Sequence, residues 1–172
     1  MTGVSQAGEP HHAEVKRRYG FDGWPGRDGR TTAGPFLPDH TSLAGLTLDR
    51  RVPFPGTRQA FIDHLNTGNG ARVALWIRRC DTVLAAHEAL VEVLATSMAP
   101  RLPSCAERGV GPIGDVAFCG VTDPVSAIYF TRGNVLVRVE NIGPHPTPVA
   151  STAAEIDRQI RTTQREPESE AT

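Results

Sequence analysis

The sequence has only one lysine, Lys16, and no apolar stretch approaching the about eighteen residues that a membrane-spanning helix needs. The other basic residues are arginines, and nineteen acidic residues bring the formal net charge to −1. A chain without excess positive charge creates no long-range field that attracts polyanions. We therefore expect neither nucleic-acid binding nor membrane insertion.

Cysteine is also scarce. The three cysteines, Cys80, Cys105 and Cys119, are odd in number and form no Cys-x-x-Cys pair, which argues against a disulfide framework and a zinc site. Cys105 falls in a loop-like segment, so we expect it to be the most exposed thiol.

His11 and His12 have no third ligand nearby in the sequence, so no metal is expected, and no motif predicts a cofactor. The N-terminal residues lack the apolar core of a secretory signal, which predicts a cytoplasmic location.

Residues 1–45 are dense in glycine and proline and show neither helical nor strand periodicity. We expect this segment to be a flexible arm, extended or disordered. Aromatic side chains in it can dock on a partner or on the chain's own core; they are Tyr19, Phe21, Trp24 and Phe36. Phe21 and Trp24 are the candidate binding residues of the arm.

Residues 46–163 carry the patterns of a single folded domain. The stretch 57–68 predicts a short helix, with Thr57 as its cap, an apolar stripe and Gly68 at its end. Alternating apolar residues then predict a strand over residues 71–80. Its expected inward residues are Val73, Leu75 and Ile77, with Trp76 on the other face.

The stretch RRCDTVLAAHE, residues 78–88, places a thiol, two carboxylates and an imidazole close together. Asp81 stands where a helix N-cap is needed, and apolar residues then recur at three- and four-residue steps up to Pro100. This stripe predicts a long helix, and its members are Val83, Leu84, His87, Leu90, Val91, Leu94 and Met98. His87 thus lies among packing residues. Cys80 and His87 are nevertheless candidates for a catalytic pair, because a strand-to-helix corner can bring them together.

Gly133 and Asn134 predict a two-residue hairpin turn between two strands. The turn sets a register in which one face is apolar and the other is half polar. The expected cross-strand pairs are Arg132 with Val135, Phe130 with Val137, Ile128 with Val139, Tyr129 with Arg138, and Thr131 with Leu136. Tyr129 and Arg138, on the half-polar face, are further candidate binding residues.

A C-terminal helix is predicted by a sparse apolar stripe and by a capping box from Thr152 to Glu155. The stripe consists of Val149, Ala153, Ile156 and Ile160. Residues 164–172 are expected to form a disordered acidic tail. Consecutive antiparallel strands beside helices indicate an α+β fold. We expect a small antiparallel sheet of about four strands, with the long helix and the C-terminal helix packed on one face.

No motif identifies a function, and three hypotheses stay open. The first is a non-enzymatic binding or protein-interaction domain, in which the half-polar sheet face or the aromatic arm takes a protein partner or a small ligand. The second is an accessory subunit of a larger complex that docks through its N-terminal arm. The third is a small cysteine-dependent enzyme using Cys80 with His87. An enzyme is the less favoured class, and the patterns specify no oligomeric state.

Overall fold

The computed structural model describes residues 9–57 and 59–165. In this part of the chain the main elements are α1 (Glu9–Tyr19), β1 (Leu46–Pro53), β2 (Ala60–Thr67), β3 (Arg72–Arg79), α2 (Val83–Ala95), β4 (Val116–Cys119), β5 (Ala127–Arg132), β6 (Val135–Asn141) and α3 (Ala150–Arg165). Two single-turn 3-10 helices, Phe21–Gly23 and His40–Ser42, lie between α1 and β1. None of the helices described is long and apolar enough to cross a membrane. The α+β class predicted from the sequence is confirmed.

The strands form one antiparallel sheet of six in the order β1-β2-β3-β6-β5-β4. Each half of the sheet is a meander of three consecutive strands, and the halves join where β3 pairs with β6. The sequence predicted about four strands. The two additional strands are β2 and the edge strand β1, whose side chains are almost all exposed and therefore carry no clear apolar alternation.

Helices cover both faces of the sheet, so the predicted packing of both helices on one face is wrong. Helix α3 packs on β5 and β6 from one side, and α2 packs on the same two strands from the other, with α1 beside it. The period of two in β6 divides its side chains between these layers. Val135, Val137 and Val139 belong to the core under α3, whereas Leu136 belongs to the core under α2.

The β5–β6 hairpin has the predicted register. Arg132 pairs with Val135, and each of the other expected pairs is also present. Gly133 has a φ of 54°, in the left-handed region that a primed turn requires of its first central residue. The side-chain amide of Asn134 donates to the Cys80 carbonyl oxygen at 2.7 Å, so the turn is also tied to the end of β3.

The predicted helix over residues 57–68 is wrong, because Ala60–Thr67 forms strand β2. The apolar residues of this stretch fit both the helical period of 3.6 and the strand period of two. A polar residue, Asp63, interrupts the apolar alternation of the strand at a position that points into the core. Asp63 is fully buried and accepts from Arg51 Nε and Nη2 at 2.6 and 2.8 Å and pairs with His40 Nε2 at 2.7 Å. These partners make an inward carboxylate tolerable in the strand.

The expectation of an extended or disordered arm is wrong for residues 9–23, which are largely helical. Residues 24–39 have neither helix nor strand, as expected, but Phe36 among them is buried in the domain. Residues 1–8 lie outside the described residues. Helix α1 ends at Tyr19, and the next residue, Gly20, has a φ of 65°, which suits the position after a helix C-terminus. Only Val15 and Tyr19 of α1 are buried hydrophobics, which is too sparse a stripe to be recognised in the sequence. The segment contributes to both cores, through Phe21 and Trp24 under α2 and Phe36 under α3.

Helix α2 differs from its prediction at both ends. Thr82, not Asp81, is the N-cap, and its hydroxyl accepts from the Ala85 N–H at 3.0 Å. The helix ends at Ala95, and Met98 is fully exposed. Leu84 is also exposed, so the apolar stripe is narrower than predicted.

Helix α3 has the predicted stripe, with Val149, Ala153, Ile156 and Ile160 completely buried. The capping box from Thr152 to Glu155 does not form, because the helix already begins at Ala150 and Thr152 lies inside its first turn. Residues 164 and 165 belong to this helix instead of a tail, and residues 166–172 lie outside the described residues.

Candidate functional site

A cleft of about 640 Å³ lies between α2 and the sheet, on the half-polar face. Its floor is formed by β3 and β6, and its wall by the side of α2 that carries Ala85, Ala89 and Val93. The first two wall residues have the smallest side chain with a Cβ, and this leaves space between helix and sheet. Phe54, from the loop after β1, closes the end of the cleft beside Trp76, with 5.6 Å between the ring centroids.

Trp76, Arg138 and Tyr129 form a row across the cleft floor and the strand beside it. They occupy directly paired positions on β3, β6 and β5. The Arg138 guanidinium lies 4.6 Å from the Trp76 ring centroid and 5.8 Å from the Tyr129 ring centroid, so it is held by two aromatic rings. Burial, reinforced by the Glu140 carboxylate, raises the pKa of Tyr129. The phenol is therefore neutral at physiological pH.

Two nitrogen atoms of this row have unused donor capacity. Trp76 Nε1 and Arg138 Nε are buried and have no hydrogen-bond partner among residues 9–57 and 59–165. The Arg138 Nη2 atom is paired, at 3.2 Å from both carboxylate oxygens of Glu140. Buried donors are normally satisfied, because leaving one unpaired costs about 1–3 kcal/mol. Both donor atoms are covered by the protein, so an acceptor group in the cleft would pair with them after a small rearrangement of the Trp76 and Arg138 side chains.

The cleft rim is mixed in charge. Arg78 lies 3.9 Å from Glu92, and Arg79 lies 3.9 Å from Asp81. The exposed Arg78–Glu92 pair contributes little to stability at this distance and leaves Arg78 able to rearrange. Arg79 is mostly buried and is held by Gln59 and the Thr32 carbonyl oxygen. Together with Arg138, the cleft lining includes three guanidinium groups and the two carboxylates of Asp81 and Glu92.

Comparisons with protein-family models, curated proteins and solved structures find no match for this chain. Function is therefore inferred from the geometry and chemistry of the side chains.

The candidate binding residues from the sequence fall into two groups. Tyr129 and Arg138 lie in the row just described, and Arg138 lines the cleft. Phe21 and Trp24 are buried against α2 instead, with their ring centroids 5.2 Å apart. The Trp24 indole N–H donates to the Tyr19 carbonyl oxygen at 2.8 Å. These two aromatic rings therefore pack on the chain's own core, which is one of the two arrangements expected from the sequence; the other was contact with a partner.

The candidate catalytic pair has an unfavourable environment. His87 is fully buried, and it lies edge-on to Trp24, with 5.5 Å between the centroids. Burial lowers the pKa of His87, and the positive charge of Arg27 lowers it further. Burial raises the pKa of the Cys80 thiol, which disfavours the reactive thiolate. The described residues contain no hydrogen bond that joins the two side chains.

Cys105 is buried, with a relative exposure of 3%, so the expectation that it is the most exposed thiol is wrong. The loop that carries it folds onto β4, and its sulfur lies 2.7 Å from that of the fully buried Cys119. Over residues 9–57 and 59–165, no group of three or more histidine, cysteine or acidic side chains is arranged to hold a metal ion.

Sequence reasoning identified Arg138 but missed Trp76 as a site residue. The sequence places Trp76 on the strand face opposite Val73, Leu75 and Ile77, as predicted. Its neighbour across the sheet depends on the pairing of β3 with β6, which are separated along the chain by α2, β4 and β5. The small residues Ala85 and Ala89, at a spacing of four on one helix face, are the signal in the sequence that agrees with a cleft.

Proposed function

We propose that this protein is a non-enzymatic binding domain whose ligand occupies the cleft between α2 and the sheet. The ligand class that best fits is a small planar molecule bearing an anionic acceptor group, such as an aromatic carboxylate. The observation that carries this proposal is the pair of buried unpaired donors, Trp76 Nε1 and Arg138 Nε, on the cleft floor.

The dimensions and lining of the cleft support a small ligand. Its volume of about 640 Å³ falls within the range of about 300–1,000 Å³ that is usual for small-molecule sites. Apolar walls with a few convergent polar groups are the usual lining of such sites. The partly exposed Phe54 ring beside Trp76 offers an aromatic contact surface, and the Arg138 guanidinium offers charge-assisted hydrogen bonds to an acceptor.

The two alternative functions have less support. An accessory subunit docking through its N-terminal aromatic residues would have to release Phe21 and Trp24 from the core under α2. A cysteine-dependent enzyme would need a thiolate at Cys80, whose pKa is raised by burial. Both remain hypotheses, and neither accounts for the cleft.

The proposal is tested by NMR titration of the ¹⁵N-labelled chain with sodium naphthalene-1-carboxylate. The protein has two tryptophans, so each indole N–H gives its own signal and Trp24 serves as an internal control. We expect the Trp76 signal to shift in a saturable manner and the Trp24 signal to stay in place. The neutral methyl ester of the same acid should bind more weakly, because it lacks the charge that Arg138 recognises. The probe should be recovered chemically unchanged.

Two variants sharpen this test. Arg138→Gln should weaken binding of the carboxylate by about tenfold or more, the loss expected for one charge-assisted hydrogen bond. Ala85→Phe should block the cleft without removing a donor. The matched control is Arg158→Gln on α3, which also removes an arginine paired with a glutamate, at 2.6 Å, but on the opposite face of the sheet. Equal shifts of both indole signals, no shift at all, or equal effects of Arg138→Gln and Arg158→Gln would contradict the proposal.

A further inference from the structure

Cys105 and Cys119 are brought together by a short stretch of strand pairing outside the named strands. Ser104 forms an isolated antiparallel bridge with Phe118. The Cys105 N–H donates to the Ala117 carbonyl oxygen at 3.2 Å, and the Cys119 N–H donates to the Pro103 carbonyl oxygen at 2.9 Å. Both cysteine side chains therefore project to the same side of this ladder.

The two sulfur atoms are placed for bonding to each other. They lie 2.7 Å apart, closer than ordinary packing of two unbonded thiols and longer than the about 2.05 Å of a disulfide bond. Closing the gap requires less than about 1 Å of movement, which small side-chain rotations can provide. Both residues belong to the core under α3, so neither sulfur is available to a protein partner or to a bulky reagent.

The pair is also chemically asymmetric. Contact with the Cys105 thiol lowers the pKa of Cys119 against the opposing effect of burial, and the Arg108 guanidinium lowers it further. Contact with Cys119, together with burial, raises the pKa of Cys105. In such a coupled pair, the thiol that ionises is the nucleophile and the other is the resolving partner.

We propose that Cys105 and Cys119 form an intramolecular disulfide when the protein meets hydrogen peroxide, a small oxidant that reaches them through local opening of the edge strand β4. The ionised thiol of the pair attacks one peroxide oxygen as the thiolate, the O–O bond breaks, and the leaving hydroxide takes a proton to become water. The sulfur of the other cysteine then attacks the resulting sulfenic acid, the S–O bond breaks, and a second water leaves with the proton of that second thiol. Two thiols lose two electrons, and one peroxide is reduced to two waters.

The bond would anchor the loop that supports the hairpin turn. Asp115, inside the segment 105–119, accepts from the Gly133 N–H and from Arg132 Nη1, each at 2.7 Å. A covalent link across this segment restricts the unfolded chain. For a loop of this length the thermal midpoint should rise by about 6–12 °C on oxidation and return when a reductant is added.

The test uses the full chain, purified under reducing conditions and then treated with about one to ten equivalents of hydrogen peroxide. Intact mass under non-reducing conditions should fall by the mass of two hydrogen atoms, and one of the three thiols should remain for alkylation in denaturant. Trypsin separates the cysteines because it cleaves after arginine: Cys80 falls in residues 80–101, Cys105 in 102–108 and Cys119 in 109–132. The linked product should join the last two peptides.

Cys80→Ser is the matched control and should give the same linked peptide as the parent protein. Cys105→Ser and Cys119→Ser should each abolish the mass loss, and circular dichroism shows whether those variants fold. If the Cys105→Ser and Cys119→Ser variants do not fold, the parent and the Cys80→Ser protein still decide whether the disulfide forms. Retention of three thiols after peroxide, a link that includes Cys80, a covalent dimer, or accumulation of a stable sulfinic acid would each overturn the proposal.

Discussion

Replacing His87 with leucine is expected to maintain or raise the free energy of unfolding. The imidazole is fully buried in α2, and neither of its ring nitrogens has a hydrogen-bond partner among the described residues. It contacts the Phe21 and Trp24 rings edge-on, with centroid distances of 6.4 and 5.5 Å. Leucine has a similar volume and no polar atom, so it suits this apolar environment better than an unpaired imidazole.

The expected magnitude follows from these contacts. Each unpaired buried polar group costs about 1–3 kcal/mol, and leucine removes both. The lost edge-to-face contacts were worth about 0.5–1.5 kcal/mol each. With the middle of each range, the difference is a net gain of about 2 kcal/mol at neutral pH. His87→Ala should destabilise the protein instead, because it removes the same polar atoms but leaves a cavity between α2 and the aromatic rings.

The pH dependence of the free energy of unfolding tests the role of His87 more specifically than the stability gain at one pH. Burial, followed by the positive charge of Arg27, lowers the pKa of His87 in the folded protein. The unfolded chain therefore binds the proton more readily, and this residue reduces stability as pH falls below its unfolded pKa of about 6.5. The slope from one such group is at most about 1.4 kcal/mol per pH unit. Because leucine does not titrate, the advantage of His87→Leu over the parent should grow from pH 7.5 to pH 5.

Urea unfolding of both proteins at several pH values in this range provides the assay. His145→Leu is the control, because His145 is exposed, and that variant should follow the parent at every pH. A loss of more than about 2 kcal/mol in folded His87→Leu, or a difference from the parent that does not change with pH, would refute the reasoning. An unchanged unfolding curve with an about tenfold fall in Cys80 alkylation would instead identify His87 as a base acting on that thiol.

Three further perturbations test the packing. Gly133→Val should cost about 2–4 kcal/mol in urea unfolding, because its φ is 54° and an added Cβ would meet the Arg30 carbonyl oxygen; unchanged stability would mean that the turn differs from the one described. Deleting residues 1–24 should lower the thermal midpoint by about 10 °C or more, since it strips buried aromatic rings from α2; an intact transition would show that this segment is dispensable. Asp63→Asn should cost about 1–3 kcal/mol at pH 7, because the buried position loses two charge-assisted hydrogen bonds from Arg51 while the partly exposed Arg51 side chain stays hydrated, and a neutral effect in urea unfolding would contradict the importance of that ion pair.

The local parts of the fold could be predicted from the sequence because their signals are short in range. Gly133 and Asn134 specify a turn, and the turn together with alternating side chains specifies the whole register of β5 and β6. The buried stripe of α3 was predicted for the same reason. The position of His87 among packing residues also followed from helical periodicity alone.

The strand identity of β2 was decided by tertiary structure. Its inward position 63 holds an aspartate, which is acceptable only because Arg51 and His40 arrive from other elements to pair with it. Helix α1 was missed for a related reason. Its two buried hydrophobics become significant only when α2 presents an apolar surface to them.

Both candidate sites depend on contacts between residues that are distant in the sequence. Trp76 meets Arg138 only because β3 pairs with β6, and Cys105 meets Cys119 only because the loop before β4 folds back along that strand. Local sequence periodicity states which face of an element a side chain occupies, but not which other element lies opposite that face. The sequence therefore determined α2, α3, β3 and the β4–β6 strands through local periodicity, whereas α1, β1, β2, the cleft and the thiol pair depend on the way hydrophobic burial and strand pairing bring distant elements together.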